Sequence, residues 1–204
     1  MKPTERATET RAFKGVEIRA AAEGSKYIGT LTGYAAVFNS PSRELRSRDG
    51  GKWTEIILPG AFTRALKSNA DVFALNQHDE TQVLARRSAG TLRLEEDQRG
   101  LRIEMDLIDT QRNRDLLADV RAGHIDSMSF GMPVGTVKSK WERRNDGTIL
   151  RSISDTDLLE VSAVTFPAYE ASEISSRSLE EYCKESSTTP VCAIRARVEL
   201  EKLS

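Results

Sequence analysis

Two histidines, His78 and His124, are all the imidazole this 204-residue chain offers, so any histidine-dependent reaction must use one of them. His78 stands in the polar stretch Asn76-Gln77-His78-Asp79-Glu80-Thr81 between two β-like segments. A histidine in such a turn is ordinarily just a solvated side chain. His124 follows Gly123 at the end of a helical pattern, where a cation gains from the helix dipole, and a structural role suits it better. Serines are numerous, so no single one carries weight. The segment Asp126-Ser127-Met128-Ser129-Phe130-Gly131-Met132 is more informative, because it sets two serines among apolar residues on a strand. Alternation turns Ser127 and Ser129 to the same face and leaves the choice between them open.

Glu160 is the third candidate. It interrupts the apolar, β-branched run from Leu158 to Ala168, where a carboxylate is costly to bury without a partner. It either faces solvent or a basic side chain, or it accepts the ring N–H of a histidine and stabilises the imidazolium. Asp157 precedes the apolar run and is a weaker candidate for that role. A hydroxyl, an imidazole and a carboxylate are the parts of acyl transfer. The base takes the proton of a poorly nucleophilic hydroxyl and returns it to the leaving amine. The order His, Ser, Glu fits triads on several folds and does not by itself bring the three together.

The elements that must position these residues are mostly strands. A polar, charged start (residues 1–12) reads as a loose arm. Val16 to Ile18 and Tyr27 to Phe38 are β-like, with Gly29 and Gly33 marking bends. Asn39 to Lys52 is turn-rich and reads as an exposed loop, Trp53 to Leu58 as a strand, and Pro59-Gly60 opens a short helix to Lys67. Gly90 to Glu95 and Leu101 to Ile108 alternate about the break Asp97 to Gly100 and predict a hairpin. Thr110 caps a helix that runs to Ala122 and stops at Gly123. Ile125 to Val137 and Ile149 to Phe166 read as two long strands joined by the polar hairpin Lys140 to Thr148. Beyond Ala171 the chain is Ser- and Glu-rich, with one candidate helix at Leu179 to Lys184. The sum is an α+β fold, a mostly antiparallel β core with two or three helices.

Composition removes several alternatives. Lys and Arg number 30 against 31 Asp and Glu, so no bulk charge draws the chain to nucleic acid or an anionic membrane. Aromatic residues are 6%, which supplies little stacking surface for an oligonucleotide. Cys183 and Cys192 with two histidines, and no H-E-x-x-H pattern, argue against a Cys/His metal enzyme; no cofactor is expected. No apolar run approaches the roughly 20 residues of a membrane span, and the N-terminus has no apolar core of a secretory signal. Both cysteines are expected as free thiols.

Six segments in order resemble the prohead maturation proteases of tailed bacteriophages, between about Val16 and Ser176. They are Gly33-Tyr34-Ala35-Ala36-Val37-Phe38, Leu58-Pro59-Gly60-Ala61-Phe62, Asn76-Gln77-His78-Asp79, the hairpin with Gly100-Leu101, Met128-Ser129-Phe130-Gly131 behind the helix that ends in Gly123, and Leu159 to Ala168. That family is similar in fold to herpesvirus assembly proteases, which implies an antiparallel β-barrel core wrapped by a few helices. The resemblance implies Ser129 as nucleophile, His78 as general base and Glu160 as third member. An active endopeptidase would also need the loop near Phe130 and Gly131, or a neighbouring loop, to offer backbone N–H groups to the oxyanion. It also implies a serine endopeptidase inside the procapsid, in the host cytoplasm and not secreted. Such an enzyme removes the scaffolding segment of the major capsid protein and cuts itself. Direct nucleic-acid or membrane partners are not expected, and a homodimer stays open beside a monomer. The implied domain spans residues 13–176, between the arm of residues 1–12 and a polar tail, residues 177–204. Two features differ from or complicate the family pattern: Met132 stands where an aromatic residue is usual, and Asp79 competes with Glu160 for orienting His78. The alternative is a scaffold or capsid-assembly component that keeps the fold without the chemistry.

Overall fold

The computed structural model describes residues 8–14, 16–20, 24–42, 44–46, 51–68 and 70–165. Among them the chain forms β1 (Thr8–Lys14), β2 (Val16–Ala20), β3 (Tyr27–Val37), β4 (Leu45–Arg46), β5 (Lys52–Ile57) and the short helix α1 (Thr63–Lys67). There follow β6 (Phe73–Asn76), β7 (Asp79–Arg86), β8 (Leu92–Glu96), β9 (Gly100–Ile108) and α2 (Gln111–Ala122). β10 (Ser127–Pro133), a 3-10 turn at Val134–Thr136, β11 (Lys138–Arg143), β12 (Ile149–Asp155) and β13 (Glu160–Val164) complete the described residues. One sheet has the order β1-β10-β13-β6-β7, a second β2-β3-β9-β8 and a third β11-β12-β5-β4.

The expected closed barrel is not what forms. The strands lie in three open sheets, and two pairings, β5 with β12 and β6 with β13, are parallel. Alternation along a strand reports which face is buried; it carries no information on whether the last strand returns to the first. The expected long strand from Ile149 to Phe166 is two strands in different sheets, separated by Thr156–Leu159, with the buried Thr156 giving its N–H to Ala61 O at 3.0 Å. Likewise β10 ends at Pro133, and the first part of the expected hairpin loop is strand: β11 carries Lys140 to Arg143, leaving Arg144 to Thr148 for the turn. Leu45, inside the expected exposed loop, is buried on β4. The arm read as loose over residues 1–12 is strand from Thr8 onward, because β10 supplies a backbone partner that composition cannot reveal. The expected helix at Leu179 to Lys184, both cysteines and the tail lie outside the described residues.

Local chemistry explains the elements that hold. The Thr110 hydroxyl accepts from Asn113 N at 3.2 Å and starts α2, and Gly123, at φ 76°, ends it in the left-handed conformation that glycine adopts without strain. The predicted hairpin is β8 and β9, paired from Leu92–Met105 to Glu96–Leu101. Gly100 faces the backbone of Ala36, where a Cβ would overlap the carbonyl, so only glycine fits. The Pro59-Gly60 turn is held by Glu96, whose Oε1 accepts from Gly60 N at 2.9 Å and whose Oε2 accepts from Thr63 Oγ1 at 2.5 Å. This carboxylate lies at the start of α1, whose cap residue Phe62 has no side-chain acceptor of its own.

The core joins the sheets. Leu31, Ile103, Met105 and Leu107 meet Leu116 of α2, Met128 and Phe130 of β10, and Val161 of β13. Phe62 and Phe130 pack edge to face, ring centroids 5.1 Å apart, so the Pro-Gly-Ala-Phe segment braces the strand that carries Ser129.

Candidate active site

On β10, Met128, Phe130 and Met132 enter the core, and Ser127, Ser129 and Gly131 take the opposite face. β13 divides in the same way. Val161 and Ala163 enter the core, and Glu160 and Ser162 share the face of Ser129. The antiparallel register places Ser129 opposite Ser162 and Gly131 opposite Glu160. β13 also runs parallel to β6, with Ala163 beside Asn76, so the turn after β6 emerges next to the same strand.

That turn carries His78. Asn76 pairs with Asp79 across a two-residue loop in which Gln77 has φ 56° and His78 φ 60°. Consecutive positive φ values mark the hairpin turn that Asn-Gly fills readily, and side chains there cost on the order of 1 kcal/mol each. The turn is tied down by Gln77. Its N–H donates to Ala163 O at 3.0 Å, its Nε2 to Thr165 Oγ1 at 2.7 Å, and its Oε1 accepts from Thr165 N at 3.2 Å. The strain is held by β13, and it presents the imidazole to the carboxylate on that strand.

His78 Nδ1 lies 2.9 Å from Glu160 Oε1, with the two side chains 23% and 12% exposed. A Glu160 acceptor fixes the tautomer with hydrogen on Nδ1 and leaves the Nε2 lone pair free. Glu160 Oε2 accepts from the hydroxyl of the fully buried Ser162. Gly131 makes this possible, since a Cβ at that position would collide with Glu160 Oε1. The other candidates are engaged elsewhere. Asp79 Oδ1 accepts from Thr81 N at 2.8 Å and Thr81 Oγ1 at 2.6 Å, contacts that hold its carboxyl below the usual range. Asp157 pairs with Arg64, His124 with Asp119 on an exposed surface, and Ser127 donates to Asp126 Oδ1 at 2.6 Å.

Two atoms remain. Ser129 Oγ and His78 Nε2 are both buried, and neither has a hydrogen-bond partner. One is a donor and the other an acceptor, and buried polar groups seldom stay unpaired without a reason. The structure has no hydrogen bond between them; nucleophile–base contacts commonly tighten only when a substrate is bound. Phe130 and Gly131, near which a loop was expected to offer N–H groups to an oxyanion, sit inside a strand paired with β1 on one side and β13 on the other. Their amides belong to the ladders. Among the described residues no three His, Cys, Asp or Glu side chains converge as metal ligands would.

Sequence reasoning singled out His78, Ser129 and Glu160 and missed Ser162, Gln77 and the purpose of Gly131. Gly131 left a signal, since a glycine inside a strand marks close approach of another group. Ser162 left none, because its contact depends on the rotamer of a residue two positions away.

The sequence model of the caudovirus prohead serine protease family matches residues 14–185, most of the chain. Among solved structures, the bacteriophage T4 capsid assembly protease is similar in fold, with a TM-score of 0.50 at 13% identity, covering 77% of this chain and 96% of its own. No curated protein sequence matches.

Proposed function

This chain belongs to the caudovirus prohead serine protease family, and we propose that it is an active endopeptidase in which Ser129, His78 and Glu160 form the catalytic triad. The observation that carries this reading is the His78 Nδ1–Glu160 Oε1 contact of 2.9 Å beside a buried, unpartnered Nε2 and a buried, unpartnered Ser129 Oγ. Ser129 Oγ attacks the scissile carbonyl as His78 Nε2 takes its proton. Glu160 holds the ring and stabilises the imidazolium, which then protonates the departing amine. Water, deprotonated by the same nitrogen, releases the acyl group and restores the serine. Backbone N–H donors from a loop near the site, not from Phe130 or Gly131, stabilise the oxyanion. The substrates are the scaffolding segment of the major capsid protein and the protease itself, cut inside the procapsid in the host cell.

Co-expression with the cognate major capsid protein, with intact masses read for both, tests this. The unchanged chain is expected to shorten the capsid protein. Ser129→Ala and His78→Ala lose on the order of 10⁶-fold in rate and Glu160→Gln about 10⁴-fold, because triad members act as a unit. Shortening at the unchanged rate by Ser129→Ala would move the nucleophile to Ser127. Assembly with no shortening by the unchanged chain would leave an assembly component of the same fold.

A further inference from the structure

We propose that Ser162 is a positioning residue, whose hydroxyl sets the Glu160 carboxylate for His78; this rests on the triad reading above. A glutamate carboxylate turns freely about its last torsion, which has no strong preferred wells. At this site Gly131 offers no side chain to limit that rotation, and the space it leaves is where Glu160 Oε1 sits. The groups that fix the carboxylate are its two hydrogen-bond partners, one on each oxygen: His78 Nδ1 on Oε1 and Ser162 Oγ on Oε2. Ser162 is fully buried and lies two residues along β13 on the same face, which gives its hydroxyl a fixed approach. It is also directly opposite Ser129 across the β10–β13 ladder. Its proton is committed to Glu160, which separates its role from that of Ser129, whose Oγ has no partner. With the Ser162 contact gone, Oε2 would be a buried anionic oxygen without a donor. The carboxylate would then turn or shift, and His78 would lose the acceptor that fixes its tautomer.

A serine kept only for packing would behave differently, and a cycle of variants separates the two. The reading is the rate at which co-expressed major capsid protein is shortened, with the thermal midpoint of each purified variant. Ser162→Ala is expected to slow shortening about 10- to 100-fold, as one hydrogen bond to a charged group would. Ser162→Thr, which keeps the hydroxyl, is expected to recover most of that rate. In a Glu160→Gln background Ser162→Ala should cause no further slowing, because its effect passes through the carboxylate. If Ser162→Ala does not fold, Ser162→Cys takes its place, since it nearly conserves volume but donates weakly, and the same slowing is expected. Equal slowing in both backgrounds overturns the proposal. So does an unchanged rate for Ser162→Ala, or Ser162→Thr as slow as Ser162→Ala at an unchanged midpoint. The triad reading fails separately, and is recognised by Glu160→Gln cutting at the unchanged rate.

Discussion

At the scale of single residues, the site depends on one missing side chain. Gly131 faces Glu160 across the ladder, and the carboxylate fills the space that a Cβ would take. The group in the way is the end of a flexible side chain and not backbone, so Gly131→Ala has a cheap escape: Glu160 moves. Removing a glycine from a strand returns roughly 0.5–1 kcal/mol of backbone entropy, against the local crowding. The expected result is a melting free energy within about 2 kcal/mol of the unchanged chain and a shortening rate at least about tenfold lower. Denaturant melts together with capsid-protein masses check it. An Ala variant that cuts at the full rate would mean that the position of Glu160 is not what sets the rate. On sequence Asp79 competed with Glu160, the expected third member, for orienting His78. The two Thr81 contacts to Asp79 Oδ1 are local Asx geometry, whereas the Glu160 contact spans 82 residues of chain. No reading of neighbouring residues anticipates the second kind.

At the scale of elements, the hairpin β6–β7 stores strain in a Gln-His turn, and Gln77 holds it there by bonds to Ala163 of β13 and to Thr165 just after that strand. The sheet β2-β3-β9-β8 supplies a different form of rigidity. Asp106 on β9 is buried between Thr30 Oγ1 at 2.8 Å and Arg93, whose Nη1 and Nη2 lie 2.6 and 3.1 Å from its two oxygens. The Arg93 bond chiefly holds this carboxyl below its usual range, against the effect of burial. A depressed folded-state value means stability that is fully present above the ordinary carboxylate pKa of about 3.9 and lost as pH falls through the folded value. Asp106→Asn is therefore expected to lower the thermal midpoint at neutral pH, and the gap to the unchanged chain should narrow once pH drops below about 4. A gap that stays constant down to the acid limit would show that this carboxylate contributes nothing linked to protonation.

At the scale of the whole molecule, β10 is the strand on which the site depends. It is flanked by β1 and β13, and its inner face enters the common core, where Phe130 packs edge to face on Phe62. β1 covers one edge of β10 from Thr8–Pro133 to Lys14–Ser127, and it lies almost entirely ahead of the residues matched by the family. A chain starting at residue 15 would leave the backbone of β10 unpaired along that edge. It is expected to melt more than about 5 °C lower and to self-associate through the open edge, as calorimetry and light scattering would report. Equal melting and a monodisperse solution would show that β1 is dispensable to the fold.

The sequence by itself determined the elements whose signals are local. α2 was bounded by Thr110 and Gly123, the β8–β9 hairpin by its alternation and turn, and the two faces of β10 by period two. Family segments singled out His78, Ser129 and Glu160 as a set. Tertiary structure alone decided the rest: three open sheets in place of a barrel, the division of Ile149–Phe166 between two of them, and the pairing of residues 8–12. It also brought His78 to Glu160, and Ser162 to the other oxygen of that carboxylate. The reason is physical. Caps, turns and alternation are set within a few residues, whereas sheet order and hydrogen bonds between distant strands depend on which backbone edges meet once the core closes.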